Sequence, residues 1–195
     1  VSCDGPTESF TITVNPTAQV NVIANEVVCN AEAISVLFTT ENTVGVTAYT
    51  WTSDIEIGAG LTGAGDMSFT AANEGTDPLV ATIIVTPTFT NEGVSCDGPP
   101  ESFTITVNPS AQVELPTDII LCHGDLNATI LLTSENINGA SNFIWANDTT
   151  SIGLVASGSG DIAAFTAINS STEPISATIS ITPIFTNSGI SCTGN

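Results

Sequence analysis

The feature that most constrains the fold of this chain is a direct repeat. Residues 1–16 read VSCDGPTESFTITVNP and residues 94–109 read VSCDGPPESFTITVNP, differing only at Thr7 against Pro100. The phrase begins a third time at residue 190, as ISCTGN. Other landmarks recur with it: Cys29 as Cys122, Trp51 as Trp145, Asp66 as Asp161, Phe69 as Phe165 and Cys96 as Cys192. The offset grows from 93 to 96 in single steps, as insertions into loops allow. A period of this length describes units of ordinary domain size, so 195 residues hold two of them.

Charge narrows the function classes. The chain has 20 acidic residues and no Lys or Arg. Nucleic-acid binding through phosphate neutralisation needs cationic side chains, and so does attraction to an anionic membrane surface. Both are excluded as modes of action. A hydrophobic fraction of 42% is enough to fill a core and argues against disorder. No apolar run is long enough to suggest membrane insertion, and no secretory leader is recognisable, so the chain reads as a mature section of something longer. Cysteines at repeat-specific positions point to disulfides and an oxidising compartment.

Period-two patterning dominates. In SFTITVNP, Phe103, Ile105 and Val107 alternate with Thr104 and Thr106. In ATISITP, Ala177, Ile179 and Ile181 alternate with Thr178, Ser180 and Thr182. Such segments predict antiparallel sheets with one wet face. Seven strands are expected in the first unit, near residues 19–24, 33–40, 47–54, 56–61, 67–73, 79–90 and 101–108. Seven short strands with a Trp on the third predict an all-β fold of tandem immunoglobulin-like antiparallel sandwiches, with a seven-strand barrel as the alternative.

The repeat can be framed in two ways. If each unit starts at VSC, Cys3 pairs with Cys29 and Cys96 with Cys122, leaving Cys192 alone. If each starts after Asn-Pro, residues 1–16 are the last strand of a preceding repeat. Residues 17–109 are then a complete repeat, and 110–195 a second one lacking its last strand. Cys29 then pairs with Cys96 and Cys122 with Cys192, and Cys3 is unpaired or inter-repeat. The second frame is preferred. Pro ends a strand, having no N–H to donate, and Cys-Asp-Gly-Pro reads as a tight turn joining the last two strands.

The cysteines, Trp145, the segment SIGLVASGSGDIAAFTAIN, the strand EPISATISITP, the phrase SCTG and the FTITVNP junction together resemble the PKD-like repeats of giant Bacteroidetes cell-surface proteins. The resemblance covers essentially the whole chain. It implies an extracellular, cell-surface location and a role in gliding-motility or adhesin-type chains, where such repeats act mostly as spacers. The family frame also starts after Asn-Pro. The lack of Lys and Arg is extreme even against that background. The resemblance further implies O-glycosylation at Asp-Thr/Ser followed by an apolar residue or Thr, and Asp148-Thr149-Thr150 matches, with Thr149 as acceptor.

Little else carries chemistry. Asn127, Asn147 and Asn169 head N-x-Ser/Thr triplets and are candidate glycosylation sites. His123 stands where the first repeat has Asn30, so no triad repeats, and it reads as an exposed loop residue whose role is not shared. Asp66 and Asp161 follow glycine-rich turns with neither the helix nor the Lys of a phosphate cradle. Trp51 and Trp145 sit on alternating strands and are assigned to the core rather than to a carbohydrate platform. No cofactor or catalytic set is identified, and no enzyme is expected. Calcium, if bound, would serve to relieve charge near Asp4, Glu8, Asp97 and Glu101 or near Asp54 and Glu56, though no D-x-D-x-D-G loop occurs.

The expected function is therefore structural: a repeat segment of a long extracellular rod, filament or adhesin stalk. The alternatives are a carbohydrate- or cation-dependent adhesive module and an accessory domain of a secreted hydrolase. Expected partners are neighbouring repeats of the same array, further copies joined head to tail by strand donation, and glycans.

Overall fold

A computed structural model of the chain describes all residues except 2 and 195. The fold is all-β; among the described residues a single 3-10 turn, at Thr150–Ile152, is the only helical element. In the first half the strands are β1 (Glu26–Cys29), β2 (Ala33–Val36), β3 (Val46–Ser53), β4 (Thr62–Ala64), β5 (Met67–Thr70), β6 (Leu79–Asn91), β7 (Val94–Asp97) and β8 (Glu101–Asn108). In the second half they are β9 (Leu126–Asn127), β10 (Ala140–Asn147), β11 (Ser157–Ser159), β12 (Phe165–Thr166), β13 (Ile179–Asn187) and β14 (Ile190–Thr193).

Six strands of the first half form one sheet in the order β1-β8-β6-β3-β4, with β7 also paired to β6. Strands β2 and β5 form a second, two-stranded sheet. Residues from both sheets share one core. Ile34, Val36 and Met67 on the small sheet pack with Trp51, Ala81, Ile83, Val85, Phe103, Ile105 and Val107 on the large one. The alternation read from the sequence holds along β6, where every second side chain from Ala81 to Phe89 is buried. Open edges at β1 and β4 make this a pair of packed sheets and not a closed barrel.

Three expectations need correction. Strand β1 lies at Glu26–Cys29 instead of 19–24, and it pairs in parallel with β8, Cys29 opposite Asn108. No strand forms at 56–61. There Gly58 and Gly60 take φ of +100° and +83°, and the Glu56 carboxylate accepts both of their N–H groups at 2.7 and 3.0 Å. A tight local turn outcompetes the ladder, and the strand falls on Thr62–Ala64 instead.

The third correction concerns where the chain reverses. Cys-Asp-Gly-Pro is not the turn. The reversal is at Glu92–Gly93, whose φ of +48° and +78° and two-residue span between the paired Asn91 and Val94 define a primed hairpin turn. Ser188 and Gly189 repeat it at +50° and +80°. Strands β7 and β8 then run in line along the same edge of β6. Phe89 faces Cys96 and Val85 faces Glu101, so the register slips by one residue across Gly98–Pro100, as at a bulge. Pro99 and Pro100 have no N–H with which to continue the ladder.

The second half repeats the arrangement in outline. Strand β10 pairs with β11 and β13, β13 with β14, and β9 with β12. Its core is smaller: Leu132, Phe143, Trp145, Leu154 and Ile162 are buried, while Ile179 and Ile181 are only partly so. Their counterparts Ile83 and Val85 are fully buried. The difference follows from β8, whose Phe103, Ile105 and Val107 close the first core and which has no counterpart among the described residues of the second half.

Local packing is duplicated closely. Gly63 lies against the Trp51 ring and Gly158 against the Trp145 ring. A Cβ on either glycine would come within 2.2 or 2.3 Å of the indole. The Asp66 carboxylate accepts the Phe38 N–H at 2.8 Å, and Asp161 accepts that of Leu132 at 2.9 Å.

Candidate functional site

The feature that sets this molecule apart is the junction between its halves. Cys29, at the end of β1, is bonded to Cys192 on β14, with 5.6 Å between their Cα atoms and 163 residues between them in sequence. The Asn108 and Asn187 side chains are paired beside it. Asn187 Nδ2 donates to Asn108 Oδ1 at 2.9 Å, and Asn108 Nδ2 donates to the Asn187 carbonyl at 3.4 Å. On another part of the same boundary the Ile137 N–H donates to the Thr76 carbonyl at 3.0 Å, and Asn138 Nδ2 donates to the Asp77 carboxylate at 2.9 Å. With no Lys or Arg in the sequence, neutral amides and one covalent bond take the part that salt bridges play elsewhere.

The pairs Cys29–Cys96 and Cys122–Cys192 are thus corrected: Cys96 and Cys122 are free thiols, as is Cys3. The reason is positional. Cys29 lies level with Asn108 and hence with the start of β6, whereas Cys96 lies opposite Phe89. Ten residues of β6 separate those levels, about 33 Å along an extended strand, against the roughly 7 Å that a disulfide can span between Cα atoms. Each half carries its two cysteines at opposite poles, and the bond forms where one half's first pole meets the other's second.

The same asparagine pairing occurs once more. Asn91 Nδ2 donates to Asn15 Oδ1 at 2.9 Å, and Asn15 Nδ2 donates to the Asn91 carbonyl at 3.5 Å. Asn15 is the counterpart of Asn108 and Asn91 that of Asn187. Residues 13–16 therefore sit against the first half much as residues 106–109 sit against the second.

The remaining candidates are scattered. Asn127 and Asn147 are buried, at 9% and 6% exposure. Their amides donate to the Ala128 carbonyl and to the Leu154 and Val155 carbonyls. A glycosylated amide would have to leave those partners. Asn169 is half-buried and donates to the Glu173 carbonyl at 2.9 Å. Thr149 is also half-buried, its hydroxyl donating to Asp148 at 2.9 Å. Asp148 is held below the ordinary carboxylate range, first by the Thr178 backbone N–H and then by the Thr149 hydroxyl. Burial raises the Tyr49 phenol, with Asp66 adding to the shift against a lowering hydrogen bond from Thr40.

His123 does share the role of Asn30. Its Nδ1 accepts the Asn169 N–H at 3.1 Å, where Asn30 Oδ1 accepts that of Asn73 at 2.8 Å. Asp54 and Glu56 are used locally: Asp54 accepts the Thr82 N–H and Glu56 those of the glycine turn. Asp97 accepts from the Thr88 hydroxyl, while Asp4, Glu8 and Glu101 are exposed. Among the described residues no three Asp, Glu, His or Cys side chains gather as a metal site would need, and no helix is long and apolar enough to cross a membrane. What the sequence reading missed is the covalent lock across the junction, and the available signal for a close junction was that the next unit follows Pro109 without a spacer.

No family model matches the chain, and no curated protein matches it.

Proposed function

We propose that this chain is a structural section of a long extracellular rod, filament or adhesin stalk built from tandem immunoglobulin-like repeats. Its work is mechanical: it transmits position and force along a line of stiffly joined units. One observation carries this reading. The two halves meet without a spacer at a junction closed by the Cys29–Cys192 bond and the Asn108–Asn187 pair. Domains that bind or catalyse independently gain nothing from such a lock, since interfaces within a chain ordinarily permit relative motion. A disulfide of this kind also fits an oxidising, extracellular setting. The acidic surface keeps neighbouring rods apart at low ionic strength.

The test is small-angle scattering from the intact chain, oxidised and reduced. The rod reading expects the oxidised chain to scatter as one elongated particle about 80 Å long, from two units of roughly 40 Å set by strands of up to a dozen residues at about 3.3 Å each. Reduction should broaden the distance distribution. A profile of two independently tumbling units in the oxidised chain would overturn the reading.

A further inference from the structure

Asn138 is the only asparagine in the sequence that is followed by glycine. Each of the two residues has a structural reason. Asn138 takes a φ of +56°, a left-handed conformation that Asn tolerates better than most side chains do. At Gly139 a Cβ would lie 2.3 Å from the Phe185 ring and 2.8 Å from the Thr186 carbonyl oxygen. Both residues are exposed, at the entry to β10. In the first half the same turn reads Val44-Gly45, with the positive φ, +82°, on the glycine. The second half thus places the left-handed position one residue earlier, on an amide side chain.

That amide makes a contact across the junction. Asn138 Nδ2 donates to the Asp77 carboxylate at 2.9 Å, beside the bond from the Ile137 N–H to the Thr76 carbonyl. The contact depends on the amide staying an amide. A carboxylate at 138 would have no proton to donate and would face Asp77 with like charge. The sequence has no Lys or Arg to neutralise the pair.

We propose that Asn138 is a deamidation site gated by the junction, and that its conversion undoes this contact permanently. The Gly139 nitrogen attacks Asn138 Cγ, and the new C–N bond closes a cyclic imide. The Cγ–Nδ2 bond breaks, and Nδ2 leaves as ammonia with the proton from the Gly139 N–H. Water then opens the imide at either carbonyl and leaves Asp or isoaspartate. One water enters and one ammonia departs, with nothing oxidised or reduced. Glycine has no side chain to shield its nitrogen from this attack. While Nδ2 is bonded to Asp77, the carboxamide is held toward the other half. It must let go before it can turn onto its own backbone. The closed junction therefore protects Asn138, and local opening exposes it. Once converted, residue 138 repels Asp77. This part of the junction then stays open, while the Cys29–Cys192 bond still joins the halves. The modification marks a junction that has opened. The inference goes beyond the rod reading and stands or falls without it.

The test follows amide-to-acid conversion in the oxidised full chain, by fragment mass spectrometry during incubation in mildly alkaline buffer. Asn138 should convert before Asn169 and Asn187, the two asparagines followed by Ser. Asp77→Ala should speed conversion at Asn138 about tenfold, the factor that a hydrogen bond to a charged group is worth, and leave Asn169 unaffected. Conversion at Asn138 no faster than at Asn169 and Asn187, a rate indifferent to Asp77→Ala, or an equal acceleration at Asn169 would each overturn the proposal. The consequence is read separately, by hydrogen exchange at the Ile137 amide. Asn138→Asp, which has the product's charge, should make that amide exchange several-fold faster than in the parent. Adding Asp77→Asn returns an amide donor to the pair from the opposite side and should restore the parent rate. Unchanged exchange in Asn138→Asp, or no recovery with Asp77→Asn, would show that conversion does not open the junction.

Discussion

Cys29 and Cys192 lie 163 residues apart in sequence and 5.6 Å apart between Cα atoms, and the bond between them joins two separately packed cores. It encloses nearly the whole chain in one covalent loop. In the chain-entropy account a loop of this size is worth about 5 kcal/mol relative to an open unfolded chain.

Cys192→Ser should therefore uncouple the halves. Calorimetry of the oxidised parent should show a higher midpoint than the variant, with the variant's transition resolving into two as each half melts at its own temperature. The smaller core predicts that the second half melts first. A single, unshifted transition in the variant would mean that the bond does not couple them.

Gly63→Ala and Gly158→Ala should each destabilise by about 1–3 kcal/mol, because the new methyl group would overlap a buried tryptophan ring in a packed core. The paired geometry makes the two costs similar despite their different halves. Urea denaturation monitored by tryptophan fluorescence reads both, and a cost below a few tenths of a kcal/mol at either site would contradict the packing.

Asp66→Ala and Asp161→Ala remove the acceptors of the Phe38 and Leu132 N–H groups. Leaving such a donor without a partner costs about 1–3 kcal/mol. The same denaturant series should show the loss, and the amide protons of Phe38 and Leu132 should exchange faster with solvent. Unchanged exchange at those two amides would show that the carboxylates are not their partners in solution.

Asp148 makes a pH-dependent contribution whose sign is set by its lowered pKa. A carboxylate that titrates lower when folded stabilises the fold above its unfolded pKa, and this contribution disappears as pH falls through the folded value. The stability gap between the parent and Asp148→Ala should therefore be present at neutral pH and close in acid below about pH 4. A gap independent of pH would assign the effect to something other than the carboxylate charge.

His123→Asn should be nearly neutral, because an asparagine at the counterpart position, Asn30, already accepts the equivalent N–H. His123→Ala should cost up to about 1 kcal/mol, the usual net value of a hydrogen bond. Equal stability of the Asn and Ala variants would show that the imidazole is not an acceptor there.

Much of this architecture is legible in the order of residues. Period two along β3, β6, β8, β10 and β13 decides the strand class and the buried face, and so assigns Trp51, Trp145, Ile83 and Phe103 to the core. Apolar side chains two apart must fall on one side of an extended backbone, whatever surrounds them.

The cysteine pairing is not legible in that order, and the reason is geometric. Alternation says which face of a sheet a residue occupies but not which end of the sheet it lies near. The end depends on where a strand lies and which way it runs. Strand β1 runs parallel to β8, so Cys29 at its end lies level with Asn108 and the start of β6. Cys96 lies beside the Glu92–Gly93 reversal at the other end of β6. Residue order thus specifies an all-β chain with a period-two core and a repeated unit. That the covalent link runs between the halves is a property of the folded chain, because a disulfide depends on distances between residues far apart in sequence, and those distances exist only once the strands are paired.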